Sequence, residues 1–112
     1  MDAREERLAQ NEAIFREINE RVLEVAAAHG SDAHVYGLFC ECSNTDCTLQ
    51  LDLTLEDYER VRGHGTRFVV APGHEMPEIE RVVEQMDEWS VVEKDDEAAE
   101  IAAKLDPRNG DD

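Results

Sequence analysis

The chain has 112 residues, with 11 Lys+Arg against 28 Asp+Glu and a net charge of −17. That charge argues against a nucleic-acid backbone or an anionic membrane as partner, and no apolar run approaches the length of a membrane span. Hydrophobic residues reach 41% but aromatic ones only 5%, enough for one domain with a small core that would benefit from an added constraint such as a metal.

Residues 3–28 read as one long helix. Leu8, Phe15, Ile18, Val22 and Val25 recur at a spacing of three to four, with Asn11 on the same stripe. Gly30 is the expected stop. At 1.5 Å per residue the helix would be about 39 Å long, more than a core of this size covers, so its first turns project, fray or pair with a second copy. Val35–Phe39 and Thr48–Thr54 read as strands, the latter from the alternation of Leu49, Leu51 and Leu53 with polar residues. Thr54 caps a short helix from Leu55 to Arg62, with Asp57 in a near-capping-box position, and Gly63-His64-Gly65 ends it. Thr66–Ala71 is a third strand, stopped by Pro72-Gly73. Ile79–Gln85 and Trp89–Lys94 form a second hairpin turning at Met86-Asp87-Glu88. Asp96 caps a last helix to about Leu105, with Ala98, Ile101, Ala102 and Leu105 inward, and residues 107–112 are a polar tail.

The order predicts an α+β fold: a long N-terminal helix, an antiparallel sheet of about five strands in two hairpins, a short middle helix and a C-terminal helix. The expected division of the single domain (1–112) is helix at 1–30, a metal-stapled sheet region at 35–94, helix at 95–106 and tail at 107–112.

All three cysteines fall in Phe39-Cys40-Glu41-Cys42-Ser43-Asn44-Thr45-Asp46-Cys47, at the tip of the first hairpin. Three thiolates on such a loop can take three corners of a tetrahedron around Zn²⁺. The C-x-C-x4-C spacing also occurs in the cysteine segment after the catalytic domain of SET-type histone methyltransferases, whose other motifs are absent here. The fourth ligand must come from elsewhere. His74 is favoured because it follows a strand directly and the Pro72-Gly73 turn could aim it at the hairpin tip. His64 is second, His29 and His34 rank lower, and water or an acid such as Glu41 or Asp46 remains open. A closed Cys40, Cys42, Cys47, His74 set would be structural zinc, whereas water as fourth ligand would leave an open site, with Glu41 or Glu75 as base of a zinc-dependent hydrolase. The competing readings are a redox pair (Cys40–Cys47 or Cys42–Cys47) and three thiols without metal. Nearby Glu41 and Asp46 are expected to raise the thiol pKa values.

Five stretches carry a resemblance: Phe39-Cys40-Glu41-Cys42 with Cys47; Glu56-Asp57-Tyr58-Glu59-Arg60-Val61-Arg62; Arg67-Phe68-Val69-Val70-Ala71-Pro72-Gly73-His74-Glu75; Glu80-Arg81-Val82-Val83-Glu84; and Val91-Val92-Glu93-Lys94. In these the chain resembles a family of small bacterial proteins, mostly actinobacterial, that has no established activity. The resemblance covers about half of the sequence and implies a Pro-Gly-His element, which favours His74 over His64. Arg-rich, Lys-poor usage (9 Arg, 2 Lys) fits a high-GC bacterial source.

The acids are spread evenly, seven in each of 1–29, 30–71, 72–94 and 95–112. An acidic solvated surface follows, or a face that docks on a basic protein or imitates DNA. The charged start Met1-Asp2-Ala3-Arg4 is unlike a secretory signal, so the expected compartment is the cytoplasm, where clustered cysteines mean metal or redox chemistry. The function expected is a small zinc-binding interaction or regulatory module without enzymatic activity. It would meet a basic partner or self-associate through the first helix; the alternative is a thiol redox sensor that releases zinc.

Overall fold

The computed structural model describes residues 2–28 and 34–108; Gly30, the expected helix stop, and His29 lie outside them. Helix α1 spans Ala3–Ala27 and is opened by a capping box. The Glu5 amide donates to Asp2 Oδ1 (2.8 Å) and the Asp2 amide to Glu5 Oε1 (3.1 Å), satisfying two of the donors a helix start leaves unpaired.

The inward face of α1 differs from the hydrophobic stripe in the sequence. Ala9, Glu12, Ala13, Phe15, Arg16, Asn19 and Leu23 are buried, while Ile14, Ile18, Val22 and Val25 are exposed. The reason lies in what the helix packs against. Arg16 donates to the carbonyls of Gly65 and Ala102, both at 2.6 Å, and its guanidinium lies 4.4 Å from the Phe68 ring centroid. Asn19 pairs with the backbone of Phe39 through both its amide and its carbonyl, each at 2.8 Å. Satisfying buried polar groups outweighs the transfer of a few aliphatic side chains.

Strands β1 (Val35–Phe39) and β2 (Gln50–Thr54) form an antiparallel hairpin with Leu38 opposite Leu51. Helix α2 (Leu55–Arg62) starts from the Thr54–Asp57 capping box. Strands β3 (Arg67–Val70), β4 (Glu80–Gln85) and β5 (Ser90–Lys94) make a second antiparallel sheet in the order β3-β5-β4, with a bulge between Val82 and Glu84. The α+β class, the five strands and the two hairpins are therefore those expected, divided between two sheets. The sheets meet at one backbone bond, from the Glu41 amide to the Val69 carbonyl (2.8 Å). Tyr58, Phe68, Leu38, Leu53 and Val92 fill the core between them.

Helix α3 spans Asp96–Lys104, with Asp95 rather than Asp96 at its N-cap. The Asp95 carboxylate accepts from Arg81 (2.5 Å) and makes no capping bond. Ala98 and Ala102 are buried, Ile101 is half-buried, and Leu105, expected inward, is exposed beyond the helix end.

A buried ionic trio ties α1 to the second sheet. Lys94 Nζ contacts the carboxylates of both Glu12 and Glu80, all three residues being buried. Glu80 also accepts from the Met76 amide (2.8 Å). Burial disfavours charge on both partners: it pushes Glu80 up to about 8 and draws Lys94 down to about 7, so the Lys94 contribution changes only above about pH 7 and the window below that belongs to Glu80. A folded-state pKa above the unfolded one means that the folded protein holds the extra proton. This contribution to stability is complete below about 4.5 and is lost as pH rises towards 8. Replacing the acid by its neutral isostere in Glu80→Gln is expected to flatten the decline of melting temperature across that window, measured by thermal denaturation of both proteins at a series of pH values.

Candidate metal centre

Beyond Phe39 the chain stays extended, so successive side chains alternate in direction. Cys40 and Cys42 point one way and Glu41 the other. The Cys40 amide donates to the Leu49 carbonyl (3.0 Å), carrying the hairpin ladder one step further. The loop then turns at Asn44, whose side chain accepts from the Asp46 amide (2.9 Å) and whose carbonyl accepts from the Cys47 amide (3.0 Å). From α1, Asn11 Nδ2 donates to the Ser43 carbonyl (3.0 Å) and holds the loop down.

The facing element is the turn Ala71-Pro72-Gly73-His74. Its closing bond runs from the His74 amide to the Ala71 carbonyl (2.9 Å), and Gly73 has φ +86°. Pro then Gly at the two central positions, with positive φ at the second, define a type II turn. A side chain at position 73 would meet no neighbour, so glycine is required there by backbone conformation and not by space. The turn reverses the chain at the end of β3 and carries His74 to the cysteines.

The ligand atoms of Cys40, Cys42, Cys47 and His74 all lie within 4.8 Å of one another, a group that could hold a metal ion. Nδ1 of His74 is 3.6 Å from the Cys40 sulfur and 3.8 Å from that of Cys47. Cys40 and Cys42 are buried, while Cys47 and His74 are half-buried. All three cysteines are free thiols. The Ala71 amide donates to the Cys40 sulfur (3.1 Å), a bond that favours thiolate. The bond from Cys40, supported by His74, Asn44 and Cys47, draws Cys42 down to about 5, while the same bond and burial push Cys40 up. The expected rise of every thiol pKa by local acid does not hold, because Glu41 faces away and Asp46 is exposed.

The other candidates for fourth ligand fall elsewhere. His64 is exposed in the turn before β3, and its carbonyl accepts from the Arg67 amide. It thus sits at the opposite end of a strand whose far end leads to His74. His34 stands ahead of β1, its ring 4.7 Å from that of Tyr36, five residues of strand away from the sulfurs. His29 lies outside the described residues.

Glu41 is neither ligand nor base. It is fully buried and accepts three hydrogen bonds: from Val69 N–H (3.0 Å), Asn19 Nδ2 (2.9 Å) and the Tyr58 hydroxyl. Burial raises its pKa against these donors. One carboxylate thus binds β3, α1 and α2 together, directly behind the two sulfurs. Sequence reasoning missed this role; the available signal was the extended Cys-Glu-Cys alternation itself, which must bury the glutamate if both sulfurs converge.

No protein-family model, curated protein or solved structure matches this chain, so the site is read from its own geometry.

Removing the Glu41 carboxylate leaves three buried donors unpaired, at a cost of about 1–3 kcal/mol each when no water replaces it. Glu41→Ala is therefore expected to lower the melting temperature far more than Asp46→Ala, whose side chain is exposed. Equal and small shifts in a denaturation experiment would contradict the role assigned to Glu41.

Proposed function

We propose that the chain is a zinc-binding module in which Cys40, Cys42, Cys47 and His74 hold one structural Zn²⁺, and that it acts as a non-enzymatic interaction or regulatory protein of the bacterial cytoplasm. The observation that carries the reading is the convergence of three sulfurs and one imidazole nitrogen from segments far apart in the chain. With metal–sulfur bonds of about 2.3 Å and metal–nitrogen bonds of about 2.0–2.1 Å, a tetrahedron has S···N edges of roughly 3.6 Å. The separations at His74 Nδ1 are 3.6 and 3.8 Å. Thiolates with imidazole in tetrahedral array suit Zn²⁺ over hard cations, which prefer oxygen.

Four protein ligands fill a tetrahedral site and leave no position for a substrate or an activated water, which supports structure over hydrolysis. Glu41, one of the two acids considered as a base, is committed to the core. Bound metal would link the hairpin tip to the Pro-Gly-His turn and so lock the two sheets together at the end where Glu41 joins them. The even acidic surface suits a basic protein partner.

The half-exposure of Cys47 favours a second reading, a redox-controlled site. A peroxide would oxidise the Cys47 thiolate to sulfenic acid with release of one hydroxide. The Cys42 thiolate would then displace a second hydroxide to form a Cys42–Cys47 disulfide, and loss of two thiolate ligands would release the metal.

Elemental analysis of the purified protein is expected to give one zinc per chain. Cys42→Ser and His74→Ala should reduce that content strongly and His64→Ala should leave it unchanged. Structural zinc contributes about 10 kcal/mol or more in small modules, so a strong chelator is expected to lower the melting temperature and far-UV dichroism together; no change in either would refute the structural role. For the redox reading, mild peroxide should release zinc to a chromogenic chelator and a thiol reductant should restore metal binding; unchanged zinc content after peroxide would contradict it.

A further inference from the structure

Nine large apolar side chains are exposed among the described residues, and four of them, Ile14, Ile18, Val22 and Val25, lie on α1. Spacings of four, four and three set them along one line of the helix. The line is separate from the inward face formed by Ala9, Glu12, Arg16, Asn19 and Leu23. Val25 is 67% and Ile14 54% exposed, so the described residues leave most of both open.

The arrangement is self-complementary. Reversed end to end about a point near residue 20, Ile14 meets Val25 and Ile18 meets Val22. A two-fold axis demands this property, since residue i of one copy touches j of the other and j touches i. The charges reverse about residue 19, within one residue of the same point. Glu17 and Arg21 flank one side of the line, one helical turn apart, and are bonded to each other at 3.2 Å within the helix. In an antiparallel pair of helices, side positions on the same flank face each other. Each Glu17 then lies beside the other copy's Arg21, twice over. Glu20, whose charge would otherwise count against pairing, is already held by Arg62 and Arg108.

We propose that α1 is the dimer contact of this protein: two copies pack their Ile14–Val25 faces antiparallel, with reciprocal Glu17–Arg21 ion pairs at the flank. The contact is small, of the kind that supports a weak, exchanging dimer. The net charge of −17 on each chain opposes it, and salt screens that repulsion beyond a Debye length of about 8 Å at physiological ionic strength. Association therefore strengthens with salt until the flanking pairs are themselves screened.

Sedimentation equilibrium of the metal-loaded protein tests this in a concentration series up to roughly 1 mM, enough to populate a dimer with a dissociation constant of ~100 µM. A monomer–dimer equilibrium is expected, weakened at least about tenfold by Ile18→Glu. Position 18 is on the outer face, and circular dichroism of the variant checks that the fold is kept. The charge pair gives the decisive arm. Glu17→Arg and Arg21→Glu should each weaken self-association, because like charges then face across the axis, and an equimolar mixture of the two variants should associate as well as the parent. Sedimentation at the monomer mass throughout, parental association of Ile18→Glu, or a mixture no tighter than its components would each overturn the proposal.

Discussion

The direction of three successive side chains governs this structure. Residues 40–42 run extended, so two sulfurs face the Pro-Gly-His turn and one carboxylate faces the core. The backbone bond that joins the two sheets passes through this strip. The Glu41 backbone bonds Val69, and its side chain gathers an amide from β3, an amide from α1 and a hydroxyl from α2. A single residue shift would exchange the roles, burying a thiol among polar donors and turning a carboxylate into the sulfur cluster.

The two faces of the strip support each other. A buried carboxylate with three donors is a rigid anchor, since each donor it loses would remain unpaired in the core. That anchor fixes where the sulfurs stand before any ion binds. On the other face, the type II turn at Gly73 fixes the imidazole against the end of β3. A site preorganised on both sides loses little flexibility when it closes on an ion, which is how a small core with few aromatic rings can gain from one metal.

Helix α1 shows the reverse economy. Its buried face carries Glu12, Arg16 and Asn19, which serve the backbone and ionic groups beneath, and its most hydrophobic line looks outward. A helix whose inner face is reserved for polar tasks leaves its aliphatic residues for another surface, and the symmetric order of those residues matches a second copy of the same helix.

Much of this was legible in the residues. The cap at Thr54, the Leu51–Leu53 alternation, the Pro-Gly stop and the Cys-x-Cys-x4-Cys loop are local signals, and local chemistry is what a sequence displays. They determined the α+β order, the two hairpins and the three clustered cysteines, and they favoured His74 over His64 as the fourth residue without deciding it. Only the tertiary structure decided which face of α1 is inward, that the five strands divide into two sheets, and that Glu41 and the Glu12–Lys94–Glu80 trio are core. Those choices depend on partners far along the chain. A polar side chain is buried only when a distant donor or acceptor arrives to meet it, and hydrophobic periodicity carries no record of that meeting.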